Sequence, residues 1–151
     1  MAMATPKMLS LLLFMTILFA LRFDTGVTFS FLPPKITVEI INDLAQLPTN
    51  NTSLIFHCKS KDDDLGIQTL ELGGTYSFHF RRSPSILKNT LFFCSFTWPE
   101  QHPSRHYFDI YDQHRDGCKF CSWKIWKQGA CMYEEETGRH DMCLPWNQPS
   151  Q

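Results

Sequence analysis

The feature that most restricts this chain is a two-residue alternation of apolar and polar side chains, repeated in short runs between polar turns. Ile36, Val38 and Ile40 share one parity, with Lys35, Thr37 and Glu39 on the other. Leu54, Phe56 and Cys58 repeat the pattern around His57, and Tyr76, Phe78 and Phe80 alternate with Ser77, His79 and Arg81. Three more runs follow: Phe92, Cys94, Phe96 and Trp98; Phe108 and Ile110; Cys121, Trp123 and Ile125. Successive strand side chains point to opposite faces, so each run predicts a strand with one buried face. Leu70 and Leu72 ahead of Gly73-Gly74 predict a hairpin leading into the run at Tyr76. Residues 130–133 and 139–144 are further short strand segments around a turn at 134–138. No amphipathic helix pattern appears in this region. About eight short strands separated by turn signals predict an all-β, antiparallel β-sandwich. The 13 Phe and 4 Trp suit strands that must fill such a core.

A different pattern precedes the strands. Lys7 is followed by a nearly unbroken apolar run over residues 8–21, closed by Arg22 and Asp24. A basic residue ahead of an apolar stretch shorter than the ~20 residues needed to span a bilayer predicts a cleaved signal peptide. Its expected extent is 1–30, with cleavage between Ala20 and Ser30, leaving a domain over 31–151 that is secreted and not inserted in a membrane. Six cysteines, Cys58, Cys94, Cys118, Cys121, Cys131 and Cys143, all lie in that domain. An even count in a small exported domain predicts a disulfide framework, with all fifteen pairings of six cysteines open. Cys118 and Cys121 form a CxxC, but a second short knuckle, which a paired zinc site requires, is absent. Asn50 and Asn51 head overlapping glycosylation sequons in a turn-like cluster, and their crowding predicts one glycan at most. A formal net charge of −1 without a clustered basic stripe speaks against nucleic-acid binding.

Five segments in order carry a family likeness. The stretch His57-Cys58-Lys59-Ser60-Lys61-Asp62-Asp63-Asp64-Leu65-Gly66 resembles the hallmark loop of the plant self-incompatibility S-protein homologue family. Residues 91–98, with Phe92, Cys94 and Trp98, resemble its aromatic-cysteine strand, and Phe108-Asp109-Ile110-Tyr111 its next strand. Cys118, Cys121, Trp123 and Ile125 match its CxxC-x-W-x-I segment, and Met142-Cys143-Leu144-Pro145-Trp146 its usual ending. The resemblance implies a secreted β-sandwich of the type whose founding members are stigma ligands that arrest incompatible pollen. Most members are homologues in plants without that system, so an extracellular signalling ligand is implied more strongly than self-incompatibility.

No nucleophile elbow, phosphate loop or HExxH motif is present, so no catalytic residue, metal site or cofactor is expected. His102 and His106 are four apart, but Pro103 intervenes, and on a strand their rings would lie ~13 Å apart. Cys94 sits among phenylalanines, which suits a bridge better than a reactive thiol. Asp62, Asp63 and Asp64 admit three readings: a calcium site, an acidic contact for a partner, or a turn in which the carboxylates accept backbone N–H groups and Leu65-Gly66 closes the loop. Other loop residues expected to meet a partner are Arg81 and Arg82; Glu100, His102 and Arg105; and His114 and Arg115. Loops on a rigid sandwich are where recognition usually resides. Tyr107, Tyr111 and Trp126 fall on the outer parity, where they are expected to cover a packed face rather than anchor a partner. The expected partner is a cell-surface receptor or other extracellular protein, met by a monomer. The alternative is a secreted defence effector or an inhibitor of an extracellular hydrolase.

Overall fold

Among the described residues the chain forms nine strands: β1 (Lys35–Asn42), β2 (Leu54–Lys59), β3 (Asp64–Leu70), β4 (Thr75–Arg81), β5 (Leu91–Thr97), β6 (His106–Asp112), β7 (Phe120–Trp126), β8 (Gly129–Glu134) and β9 (Arg139–Pro145). The structure, a computed structural model, describes residues 6–20, 32–44, 52–85, 88–100 and 104–148. The strands pair into a five-stranded sheet of order β4-β1-β7-β8-β9 and a four-stranded sheet of order β3-β2-β5-β6. Pairing is antiparallel except between β1 and β7, which run parallel with Thr37 opposite Phe120. Parallel neighbours need a crossover connection, and here the chain between them passes through the opposite sheet.

The apolar parity of each run faces the other sheet. Ring pairs join the two layers: Phe56 with Tyr76 at 5.5 Å, Phe78 with Phe92 at 5.0 Å, and Phe108 with Trp123 at 5.0 Å. Each joins a residue of one sheet to a residue of the other, so the core is the space between the sheets. Tilted and edge-on aromatic pairs contribute about 0.5–1.5 kcal/mol each beyond the area they bury. The expected cysteine framework resolves into Cys58–Cys94, Cys118–Cys121 and Cys131–Cys143. The first and third join directly opposed residues on neighbouring strands, β2 to β5 and β8 to β9. In the CxxC the two sulfurs bond each other, which leaves no thiolates there for zinc.

Three local expectations are corrected. Gly73-Gly74 is not a hairpin, because β3 and β4 lie in different sheets. Leu70 is buried while Leu72 is 45% exposed in the turn, so the two do not share a buried face. Asn42, fully buried, holds this crossing. Its Nδ2 donates to Leu70 O and Thr52 O, its backbone N donates to Gly74 O, and its carbonyl accepts from Gly73 N. Asp64, Leu65 and Gly66 are not loop but the start of β3. Two residues of β3 fit opposite Cys58, between the pairs His57–Ile67 and Lys59–Asp64, and Gly66 takes the left-handed φ of 70° that this bulge requires. Tyr111 is not on the outer face. Phe92 pairs with Tyr111 and Phe93 with Asp109, so Ile110 is an inserted residue and both Ile110 and Tyr111 turn inward. The Tyr111 ring packs on Phe80 at 4.9 Å, and burial raises its phenol above the ordinary pKa. Tyr107 does stay outside, and Trp126 is half-buried.

Residues Met1–Phe31 form a unit separate from Leu32–Gln151. Within it, residues Pro6–Ala20 are one α-helix, α1, rich in exposed apolar side chains such as Leu11 and Phe14. Among the described residues no helix is long and apolar enough to cross a membrane.

Candidate functional site: a charged groove at one end of the sandwich

Strand direction sorts the loops. Lys59 pairs with Phe93 and Leu91 pairs with Asp112. The β2–β3 turn, the β4–β5 loop and the β6–β7 loop therefore share one end, and the β5–β6 loop lies at the other. Of the expected partner residues, Asp62, Asp63, Arg81, Arg82, His114 and Arg115 fall at the first end. Glu100 and Arg105 fall at the second. His102 lies outside the described residues, as do Asn50 and Asn51 with their sequons.

At the first end, hydrogen bonds position the loops. Ser60 Oγ accepts from the backbone N of Asp62 and of Asp63, and Ser60 N donates to Asp63 O at 2.8 Å, which closes the turn. Asn89 Nδ2 donates to Asp112 Oδ1, Gln113 N to Thr90 O and Gln113 Nε2 to Ser83 O. These bonds tie the β4–β5 loop to the β6–β7 loop. Between the acidic turn, the end of β4 and the start of β5 lies an open groove of about 770 Å³. Its wall and floor include Phe80, Phe92 and the 45%-exposed Phe93. Lys61, Arg81 and Lys88 line it together with Asp62 and Asp63. None of these five charges takes part in an ion pair among the described residues; the Arg81 guanidinium donates to Pro33 O.

Several acids elsewhere have cationic partners. Asp64 accepts from His57 Nε2 and Gly66 N and meets Lys59 Nζ at 2.9 Å. The bond from His57, then that from Lys59, hold its carboxyl well below the usual carboxylate range. A carboxylate whose pKa is depressed by folding contributes stability at every pH above its unfolded value of ~3.9, and loses it as pH falls through the lower folded value. Thermal unfolding of the native protein and Asp64→Asn, followed from pH 6 to pH 2.5, should show the native advantage intact to about pH 4 and shrinking below it. A gap independent of pH would contradict the assignment.

Arg115, expected to meet a partner, is committed to the fold. Its Nε and Nη2 bind Asp116 at 2.7 and 2.8 Å, Nη2 also donates to Asp109 O, and its guanidinium covers the rings of Phe108 and Trp123 at 5.3 and 5.2 Å. His114 is exposed beside Asp112. At the opposite end Glu100 accepts from Trp98 Nε1 at 2.6 Å, which holds its carboxyl below the usual range, and pairs with Lys127. His106 packs against both Trp98 and Trp146 in a three-ring cluster, and burial lowers its pKa.

Sequence reasoning missed the groove's cations Lys61 and Lys88. Lys61 lies inside the segment that resembles the family's hallmark loop, but nothing local says that it and Lys88 face a common space. It also missed a polar line on the five-stranded sheet, where Ser122 Oγ donates to Glu39 at 2.7 Å and lies 3.1 Å from His140 Nε2. With its own proton on Glu39, the hydroxyl accepts from the histidine, the reverse of a serine activated by an imidazole base.

The chain is similar to known proteins in sequence and in fold. The family model for plant self-incompatibility protein S1 matches residues 37–146. S-protein homolog 2 of Arabidopsis thaliana is 46% identical over 132 residues, covering 82% of this chain and 76% of the relative. S-protein homolog 4 of the same plant is 43% identical over 120 residues, covering 75% and 73%. A solved structure from the SPH (Self-Incompatibility Protein Homologue) proteins, described as a widespread family of small, highly stable, secreted proteins from plants, superposes with a TM-score of 0.53 at 20% identity, covering 77% of this chain and 97% of that one. The chain belongs to the plant self-incompatibility protein S1 family.

Proposed function

We infer that this protein is a secreted recognition ligand whose groove-end loops engage an extracellular protein, as the stigma ligands of its family would. On this reading α1 is the apolar core of a signal peptide removed on export, and the disulfides serve the oxidising space outside the cell. The observation that carries the binding site is convergence: Lys61, Arg81, Lys88, Asp62 and Asp63 border one groove beside Phe80 and Phe93, and none of the five has an ion-pair partner among the described residues. Charges of both signs left open around an aromatic floor suit a partner that supplies the complementary pattern and fixes its register. Stigma or other plant cells provide the test. Biotinylated secreted protein should bind them saturably, and Lys61→Glu with Lys88→Glu should weaken binding by tenfold or more at low salt. Lys127→Glu, at the other end, should leave it unchanged. Equal loss from both ends, or inhibition of a microbial hydrolase without cell binding, would point to the effector reading instead.

A further inference from the structure

The four-stranded sheet ends in β3, which has no further strand beside it among the described residues, and this edge has properties the other edges lack. Cys58 and Cys94 are directly opposed with Cα atoms 4.0 Å apart. This matches the close, non-hydrogen-bonded type of antiparallel pair, for which ~4.5 Å is usual against ~5.5 Å for the bonded type. The backbone groups of Cys58, Phe56 and Leu54 therefore point away from β5 and toward β3. Their partners Gln68 and Leu70 use their own N–H and C=O on β2. By the same alternation, the N–H and C=O of Ile67 and Thr69 point outward, to the open side.

Natural edges are usually blunted by charge, proline or cover. Here β9 carries Arg139, Asp141 and Pro145. The β6 edge is met by the C-terminal segment, where Asn147 N donates to Tyr107 O. Along β4 the outward side chains are Thr75, Ser77, His79 and Arg81. The central part of β3, Ile67-Gln68-Thr69, has no charge, and Ile67 at 72% is the most exposed large apolar side chain described in the sandwich. The bulge at Gly66, and Gln68 Nε2 on Leu65 O, occupy only the first residues of the strand.

We propose that the β3 edge accepts an extended segment of a partner polypeptide as an added strand. Main-chain bonds to Ile67 and Thr69 would supply affinity, and an apolar side chain of the segment would cover Ile67. Charge chooses the partner's chemistry. The edge is bounded by Asp62 and Asp63 before it and by exposed Glu71 after it, none of them in an ion pair among the described residues. In an antiparallel pairing with a second copy, the acidic ends would approach each other, so the edge disfavours self-association. A segment with basic residues at both ends and an apolar centre fits instead. The inference goes beyond the groove reading, since Ile67, Thr69 and Glu71 do not line the groove.

The probe is a synthetic peptide of alternating valine and threonine with two lysines at each end, titrated into the isotopically labelled secreted protein at low salt. The amide signals of Ile67 and Thr69 should shift and gain protection from solvent exchange. The same peptide with glutamates in place of lysines should bind at least tenfold more weakly, and Glu71→Lys with Asp63→Lys should invert that preference. Thr69→Pro removes an outward donor that β2 does not use and should abolish binding while the remaining amide spectrum stays native. Ile67→Lys offers a second variant with its backbone intact; it should weaken binding tenfold or more. Absence of shifts at Ile67 and Thr69 at millimolar peptide, shifts confined to the groove loops, or equal binding of the two peptides would overturn the proposal. A dimer that Ile67→Lys dissolves would place a second copy on this edge and would also overturn it. Loss of cell binding by groove variants with intact peptide binding, or the reverse, separates this proposal from the groove reading.

Discussion

Replacing Cys58 and Cys94 together by alanine should lower stability by about 4 kcal/mol, the largest loss expected from any one of the three bridges. The bridge spans 36 residues, against 12 for Cys131–Cys143 and 3 for Cys118–Cys121. Closing a longer loop removes more freedom from the unfolded chain, and the same chain-entropy relation gives about 3 and about 1.5 kcal/mol for the shorter two. Position reinforces the ranking. Both sulfurs of the long bridge belong to residues with no exposed surface at the middle of the four-stranded sheet, so alanine also leaves a cavity there. Cys143, by contrast, is exposed. In a domain of this size the loss corresponds to a fall in Tm of about 15 °C. Calorimetry of the three double variants should rank them in loop order, and a larger loss at Cys118–Cys121 would refute the account.

The second large effect is expected at Arg115. Asp116 has 3% of its surface exposed, and its carboxylate is neutralised at both oxygens by the guanidinium. Arg115→Ala would leave that charge buried without a counterion, a change that typically costs about 3–5 kcal/mol. Lost coverage of Phe108 and Trp123 acts in the same direction. The pair is not irreplaceable, because an uncharged substitute escapes the desolvation cost. Asp116→Asn keeps an oxygen for the backbone N of Asp112, which Oδ2 now accepts. Arg115→Met combined with Asp116→Asn should therefore recover most of the loss, to within about 1 kcal/mol of the native protein. Urea unfolding of the single and double variants measures this directly. A loss under about 1 kcal/mol for Arg115→Ala would mean that the carboxylate reaches water when the arginine is gone.

These two residues show why loop chemistry is hard to read from a string. Arg115 and Arg81 look alike in sequence, both cations in polar turns. Arg115 turns back over two core rings and a buried acid, whereas Arg81 lines an open groove. The difference is made by Phe108 and Trp123, which are distant in sequence and lie in different sheets. Asp64 differs from Asp62 and Asp63 for a similar reason. It is the first residue of β3 and so meets Lys59 directly across the hairpin, while its neighbours remain in the turn.

What the sequence by itself determined is most of the strands and the side most of them present to the core; the start of β3 and the inward turn of Tyr111 are the exceptions. The parity of Ile36, Val38 and Ile40, or of Phe92, Cys94 and Phe96, is local and exact, because side-chain direction in a strand depends only on position along it. Family membership was legible for the same reason: its motifs lie within single strands and turns. What only the tertiary structure decided is which strands meet. Sheet assignment turned Gly73-Gly74 from a hairpin into a crossing between sheets, and a single inserted residue, Ile110, sent Tyr111 inward. It also paired the six cysteines and gathered Lys61, Arg81 and Lys88 around one groove. An inserted residue carries no mark in the chain, and pairing is selected by packing over long separations. The alternation therefore predicts a sandwich, while its edges, its groove and the outward side of β3 follow only once the two sheets are assembled.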